Sequence, residues 1–234
     1  MRYIQKKDIP QFFIDDTEEL RELIKVVPQK EKKDIWDKKY KRKRELKKYL
    51  LEIEQNWLCG YCEAKLEEVF YREKREDKEL IHIEHIKPKY LDYDNLSFDY
   101  YNLLVSCSGK CFTKNNRPLT CGHKKGNKFN ENLFLNPIKE RDIRDYFIYT
   151  NSGQIGMSSK DQKKSKYTMD LLELNTFDNE LPEARLIALK EFRNSIEKYS
   201  NKIKITPKKA IKLLLSKENL AFISFLRYKY KHLI

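Results

Sequence analysis

Five cysteines fall within one stretch of the chain, and two of them, Cys59 and Cys62, form a Cys-x-x-Cys pair. Such a pair brings two sulfurs to one ion from a tight turn, and zinc takes four ligands of this kind where its role is structural. Cys107 is the natural third ligand, and either Cys111 or Cys121 supplies the fourth. Cys121 is preferred, because Cys121-Gly122-His123-Lys124-Lys125-Gly126 reads as a turn entering a short helix. The plainer alternative is a set of buried, unligated cysteines with a coincidental pair. A thioredoxin-like redox role has less support, since no βαβ pattern surrounds the pair.

Between these cysteines lie Glu84-His85, then Asn102 seventeen residues after His85, then His123. Hydrolysis of a phosphodiester needs a base to deprotonate water and a cation to neutralise the phosphate and the leaving oxygen. A carboxylate beside a histidine at a strand end can serve both needs. The segment Ile81-His82-Ile83-Glu84-His85-Ile86 alternates like a strand and runs to Pro88. Neighbouring side chains on a strand point to opposite faces, so a bulge is needed to bring Glu84 and His85 together. His82 shares the face of Glu84, as a supporting ligand or as a structural histidine. Lys124, Lys125 and Lys128 are candidates for phosphate contact or for plain solvation.

The elements that must hold these residues divide the chain into a helical region at 1–55, a cysteine-bearing centre at 56–150 and a second helical region at 151–234. In the first, Thr17 with Glu18 and Glu19 looks like a helix start, Leu20, Leu23, Ile24 and Val27 form a stripe, and Pro28 ends it. A second helix is expected to carry Ile35 or Trp36, Tyr40, Leu46, Leu50 and Ile53 on one side. Lys38, Lys39, Lys41, Arg42, Lys43 and Arg44 form its other side, solvated or facing phosphate. Further on, Asn151-Ser152-Gly153 predicts a hairpin turn. Pro182 and Thr206-Pro207 open helices, and Ser216 is a candidate cap for the last one, whose apolar residues predict deep burial or an interaction surface.

Lys and Arg outnumber Asp and Glu by 49 to 36, a net charge of +13, which favours polyanionic partners. Apolar residues at 40% and aromatics at 12% permit a packed core. No apolar run of membrane length and no secretory leader is present, so a soluble, cytoplasmic protein with reduced thiols is expected.

Taken together, Cys59-x-x-Cys62, Glu84-His85-Ile86-x-Pro88, Asn102-Leu103, Cys107 and Cys121-x-x-x-Lys125-Gly126 resemble the HNH endonuclease signature. More narrowly, the chain resembles the HNH nucleases of Septu-type and retron-associated antiphage systems. Met1-Arg2-Tyr3-Ile4-x-Lys6 with Pro10, Lys87-Pro88-Lys89, Asn136-Pro137 and Leu171-Leu172-x-Leu174-Asn175 with Leu181 and Arg185 carry that likeness over about residues 1 to 190. The resemblance implies an α+β fold, a mostly helical chain around a small ββα-metal core with a four-cysteine structural zinc. It implies a metal-dependent endonuclease that hydrolyses phosphodiester bonds, with DNA as the expected substrate, His85 as general base, Glu84 as ligand of a catalytic Mg²⁺ or Mn²⁺, and Asn102 orienting the base. Many relatives carry His or Asn directly after the cysteine matched by Cys121, whereas Gly122 stands here. His123, one residue on, is the expected second ligand, with Asn127 as substitute. Implied partners are nucleic acid, an ATPase subunit of the defence system and, in some systems, a retron reverse transcriptase with its RNA–DNA product; the C-terminal helices are the expected docking surface. The competing reading is a non-catalytic zinc module that binds nucleic acid or protein.

Overall fold

A computed structural model describes residues 1–76, 80–89, 96–109, 119–175 and 180–234; Cys111 lies outside them. The fold is α+β, with many helices around two small antiparallel sheets. One hydrophobic cluster runs from Met1 and Ile4 through Tyr61, Leu104 and Leu135 to Phe225, so all three expected regions share a core.

Helix α1 spans Gln11–Val26 and starts after Pro10, earlier than expected. Thr17 does not cap it. Its hydroxyl is fully buried in mid-helix and donates to the Phe13 carbonyl at 2.6 Å. Phe13 explains the earlier start, because its ring is buried edge-on against Tyr40 and needs the helix to begin before it. The helix ends at Val26, and Val27 is extended, as a residue before proline favours.

The expected second helix is broken. It comprises α2 (Gln29–Asp34), a π-helical turn (Ile35–Lys39), an extended Tyr40, α3 (Lys43–Tyr49) and a second π-helical turn (Leu50–Glu54). Trp36 and Tyr40 stack at 5.3 Å and both pack on Phe98. The wide turn places both rings in the core, which a regular helix followed by a regular helix does not do here.

After α4 (Glu67–Glu76), strands β1 (Ile81–His85) and β2 (Leu103–Cys107) pair antiparallel from Ile81↔Cys107 to His85↔Leu103. Helix α5 (Cys121–Lys125) packs on β2. A second hairpin, β3 (Phe147–Tyr149) with β4 (Ile155–Met157), turns through Asn151-Ser152-Gly153 as expected. Gly153 has φ +80°, and a Cβ there would lie 2.3 Å from the Pro182 carbonyl oxygen.

The chain closes with α6 (Gln162–Leu172), α7 (Leu181–Ile203), α8 (Pro207–Leu215) and α9 (Ile223–Lys229). Pro182 lies in the first turn of α7, and the Thr206 hydroxyl caps α8. Ser216 ends α8 rather than opening α9, which follows Phe222 in a left-handed conformation. Ile223, Phe225 and Leu226 are buried within the chain, so these apolar residues of α9 belong to the core, the first of the two outcomes expected of that helix. No helix among the described residues is long and apolar enough to cross a membrane.

Candidate active site

The Cys59–Cys62 turn is tied down by two backbone bonds from its first residues. The Cys59 amide donates to the Ala64 carbonyl at 2.9 Å and the Gly60 amide to the Val105 carbonyl at 2.9 Å, which lays the turn against β2. Cys107 ends that strand, and Cys121 begins α5. The four sulfurs, all buried, lie within 4.8 Å of one another. Cys62 and Cys107 Sγ are 3.6 Å apart. A tetrahedron of Zn–S bonds near 2.3 Å has edges of about 3.8 Å, so the cluster fits one structural metal ion. The Cys107 amide donates to Cys59 Sγ at 3.4 Å. Burial opposes ionisation of Cys59, but bonds from Cys107, Cys121 and Cys62 outweigh it and hold this thiol well below its usual range. Burial pushes Cys121 well above. Four thiolates in so small a volume need a cation to coexist.

Across the hairpin from this cluster opens a cleft whose wall includes Trp36, His82, Glu84, His85, Gly122 and His123, with Asn127 on its rim. The β1 ladder is regular through His85, with no bulge. Glu84 and His85 nevertheless both line the cleft, because His85 is the last strand residue, where the chain leaves the ladder. His82 and Glu84 share one face, and His82 Nε2 lies 3.1 Å from Glu84 Oε2.

The other carboxylate oxygen is occupied. Lys125, whose side chain is wholly buried, places Nζ 2.7 Å from Glu84 Oε1. The same ammonium donates to the His85 carbonyl at 3.1 Å, and the Tyr61 hydroxyl donates to Glu84 Oε1 at 3.4 Å. Burial alone would raise the Glu84 pKa, but the His82 bond and the Lys125 charge hold it down at about 2. Glu84 is therefore an anion, with Oε1 held by Lys125 and Oε2 by His82.

Gly122 makes the room for the Glu84 and His82 side chains. A Cβ at this position would stand 2.6 Å from both Glu84 Oε2 and His82 Nε2. The missing side chain thus has a physical reason: the hydrogen-bonded Glu84–His82 pair fills the space that a Cβ would take. The His123 ring lies 4.2 Å from that of His82, centroid to centroid. Among the described residues, however, only the four cysteines bring three or more such ligand atoms within 4.8 Å of one another. His123 therefore sits beside the Glu84–His82 pair rather than closing a sphere with it. Gly122→Ala is expected to weaken Mn²⁺ binding at least about tenfold, measured by calorimetric titration, while leaving the four-cysteine metal in place. Unchanged Mn²⁺ affinity would remove the pair as a cation site.

His85 is fixed from two sides. Its Nε2 lies 2.9 Å from the Ser97 carbonyl oxygen, and its ring meets Trp36 edge-on at 4.6 Å. A carbonyl can only accept, so Nε2 carries the proton and Nδ1 keeps its lone pair. Burial lowers the imidazole pKa to about 4; the Ser97 carbonyl opposes that shift and Lys89 adds to it. The ring is a neutral base at physiological pH. Among the described residues, the Asn102 side chain bonds to backbone and not to this ring. Instead Asn102 Oδ1 accepts from the Lys87 amide at 2.8 Å, Nδ2 donates to the Lys87 carbonyl at 3.0 Å, and the Asn102 carbonyl accepts from the Ile86 amide. Asn102 thereby clamps the backbone that follows His85.

Of the three lysines expected near phosphate, Lys125 is buried on Glu84, Lys124 pairs with Glu173 and Lys128 is exposed. Basic side chains reach the cleft from elsewhere, as Lys43, Arg44 and Lys47 of α3 and as Lys89. Trp36, Ser97, Gly122 and the burial of Lys125 are features that spacing alone does not disclose. No protein-family model matches the chain, and neither does any curated protein.

Proposed function

We propose that this chain is an HNH endonuclease that hydrolyses DNA with the help of a divalent cation, its fold held by a structural zinc on Cys59, Cys62, Cys107 and Cys121. The observation that carries this reading is the tautomer of His85. An imidazole with its proton on Nε2, bonded to the Ser97 carbonyl, keeps its lone pair on Nδ1, and His85 lines one cleft with the ionised Glu84. His85 takes the proton of the attacking water. Glu84 through Oε2, with His82 next to it, would hold Mg²⁺ or Mn²⁺, and such a cation supplies charge neutralisation on the phosphate and leaving oxygen. Asn102 keeps the base in register through the Lys87 backbone, and Lys125 keeps the second oxygen of Glu84 from competing for the ion. The basic wall of the cleft favours a polyanionic substrate.

The resemblance to Septu-type and retron-associated nucleases supports a role as the nuclease effector of a prokaryotic antiphage system. It also supports control by an ATPase partner subunit. One observation favours a second reading, a zinc-stabilised binding module without catalysis: the Lys125 ammonium already neutralises Glu84. Incubating supercoiled plasmid with the chain and Mg²⁺ or Mn²⁺, with and without a co-purified partner, separates the two. Nicking or cutting that needs the cation supports the nuclease, and binding without cutting in both preparations supports the module.

The pH profile is a further check. A base with its pKa lowered to about 4 stays unprotonated, and active, until the pH falls through that value. An ordinary histidine near 6.5 would already be about nine-tenths protonated at pH 5.5. Cleavage at pH 5.5 is therefore expected to stay within about twofold of its value at pH 7. A tenfold fall over that interval would contradict the buried, neutral base.

A further inference from the structure

The cleft continues past its basic wall. Arg44 borders it and also borders a shallower depression formed by Lys41, Arg42, Lys48, Phe70 and Tyr71. Arg44 is held between the two, since its guanidinium lies 4.2 Å over the Phe70 ring and donates to the Phe70 carbonyl at 3.2 Å. The single acid of the depression, Glu45, is paired with Arg42.

Tyr71 is the unusual member. It is 49% exposed, yet its ring is set in place, lying 31° from the plane of Trp57 at 5.9 Å and edge-on to Phe70 at 5.4 Å. A fixed aromatic ring displayed among cations is what stacks a nucleic-acid base while the cations follow its backbone.

We propose that this depression binds an unpaired stretch of the DNA strand whose phosphate lies in the cleft, with one base stacked on Tyr71. The proposal rests on the nuclease reading of the cleft and adds the kind of substrate it takes. In a duplex the base faces are covered by their neighbours, and only an unpaired base offers its face to a side chain. Lys41, Arg42, Arg44 and Lys48 line the depression and supply positive charge for a phosphate backbone, Arg42 being shared with Glu45 and Asp16 and Lys48 with Glu52.

The test is fluorescence anisotropy with a short labelled single strand and with the matching duplex, without added divalent cation so that nothing is cut. Tyr71→Ala is expected to weaken single-strand binding about tenfold, the usual loss for one stacked base. Duplex binding should change less than about twofold, and Tyr71→Phe should bind like the parent. An unchanged single-strand affinity in Tyr71→Ala, an equal loss for strand and duplex, or a Phe variant as weak as the Ala variant would each overturn the proposal. Tyr71 is half exposed, and an unaltered melting temperature confirms that the variants are folded. Because binding is read without catalysis, the two ideas fail separately. A chain that stacks on Tyr71 but never cuts sinks the nuclease reading, whereas one that cuts and ignores Tyr71 sinks only the platform.

Discussion

His85→Ala is expected to lower the rate of plasmid cleavage at least about a hundredfold, with substrate binding almost unchanged. General-base catalysis by a positioned side chain contributes about 10²- to 10⁴-fold, and the two titratable side chains nearest in the strand do not match it. Glu84 is held down at about 2 and committed to His82 and Lys125, so it is too weak a base at neutral pH. His82 is bonded to Glu84 through Nε2, and its Nδ1 is buried with no hydrogen-bond partner among the described residues. The substitution removes a ring packed between Trp36 and the Ser97 carbonyl, so some stability is lost with it. His85→Asn controls for that, because it keeps polar bulk but offers no nitrogen of comparable basicity. Circular dichroism and the four-cysteine metal content should match the parent in both variants. Undiminished cleavage by folded His85→Ala would eliminate this residue as the base. Added imidazole, which fits the space the ring leaves, is expected to restore part of the rate.

How much of this was legible beforehand depends on how local the signal is. The strand from Ile81 to His85 was visible because its alternation is written in adjacent residues, and the short helix after Cys121 because its turn chemistry is. The cysteine set was visible because thiolates are rare and their spacing is informative. Strand β2 was harder, since all five of its residues are buried and nothing alternates. Thr17 and Ser216 carried the right chemistry for caps, but Phe13 and Phe222 decided where their helices begin. Trp36 was read only as a core residue of a helix. Its place against His85 depends on a π-helical turn and on contact between segments far apart in sequence, neither of which periodicity records. Gly122 looked like a loss of a ligand, and only the positions of Glu84 and His82 reveal that a side chain there has nowhere to go. Lys125 looked like a surface charge because a buried lysine is expected only where its partner is known.

The second large effect concerns the cysteines. Purified chain is expected to hold about one zinc, and Cys59→Ser to release it and unfold the hairpin that carries Glu84 and His85. The reasoning starts from what the cluster joins. Cys59 and Cys62 belong to the turn laid on β2, Cys107 to the end of β2 and Cys121 to the start of α5, so one ion ties three segments together. Structural zinc in small domains contributes about 10–16 kcal/mol of apparent binding energy at pH 7, comparable with the whole stability of a domain at about 5–15 kcal/mol. Removal of one thiolate also leaves the other three buried beside a serine with no ion to balance them. Zinc measured by mass spectrometry, thermal melting and cleavage should therefore fall together in Cys59→Ser, and chelation of the parent should reproduce the loss. His85→Ala, by contrast, is expected to lose cleavage while keeping its zinc, which separates the metal that builds the fold from the residues that use it. A fully folded parent with no bound metal would refute the structural role of the four cysteines.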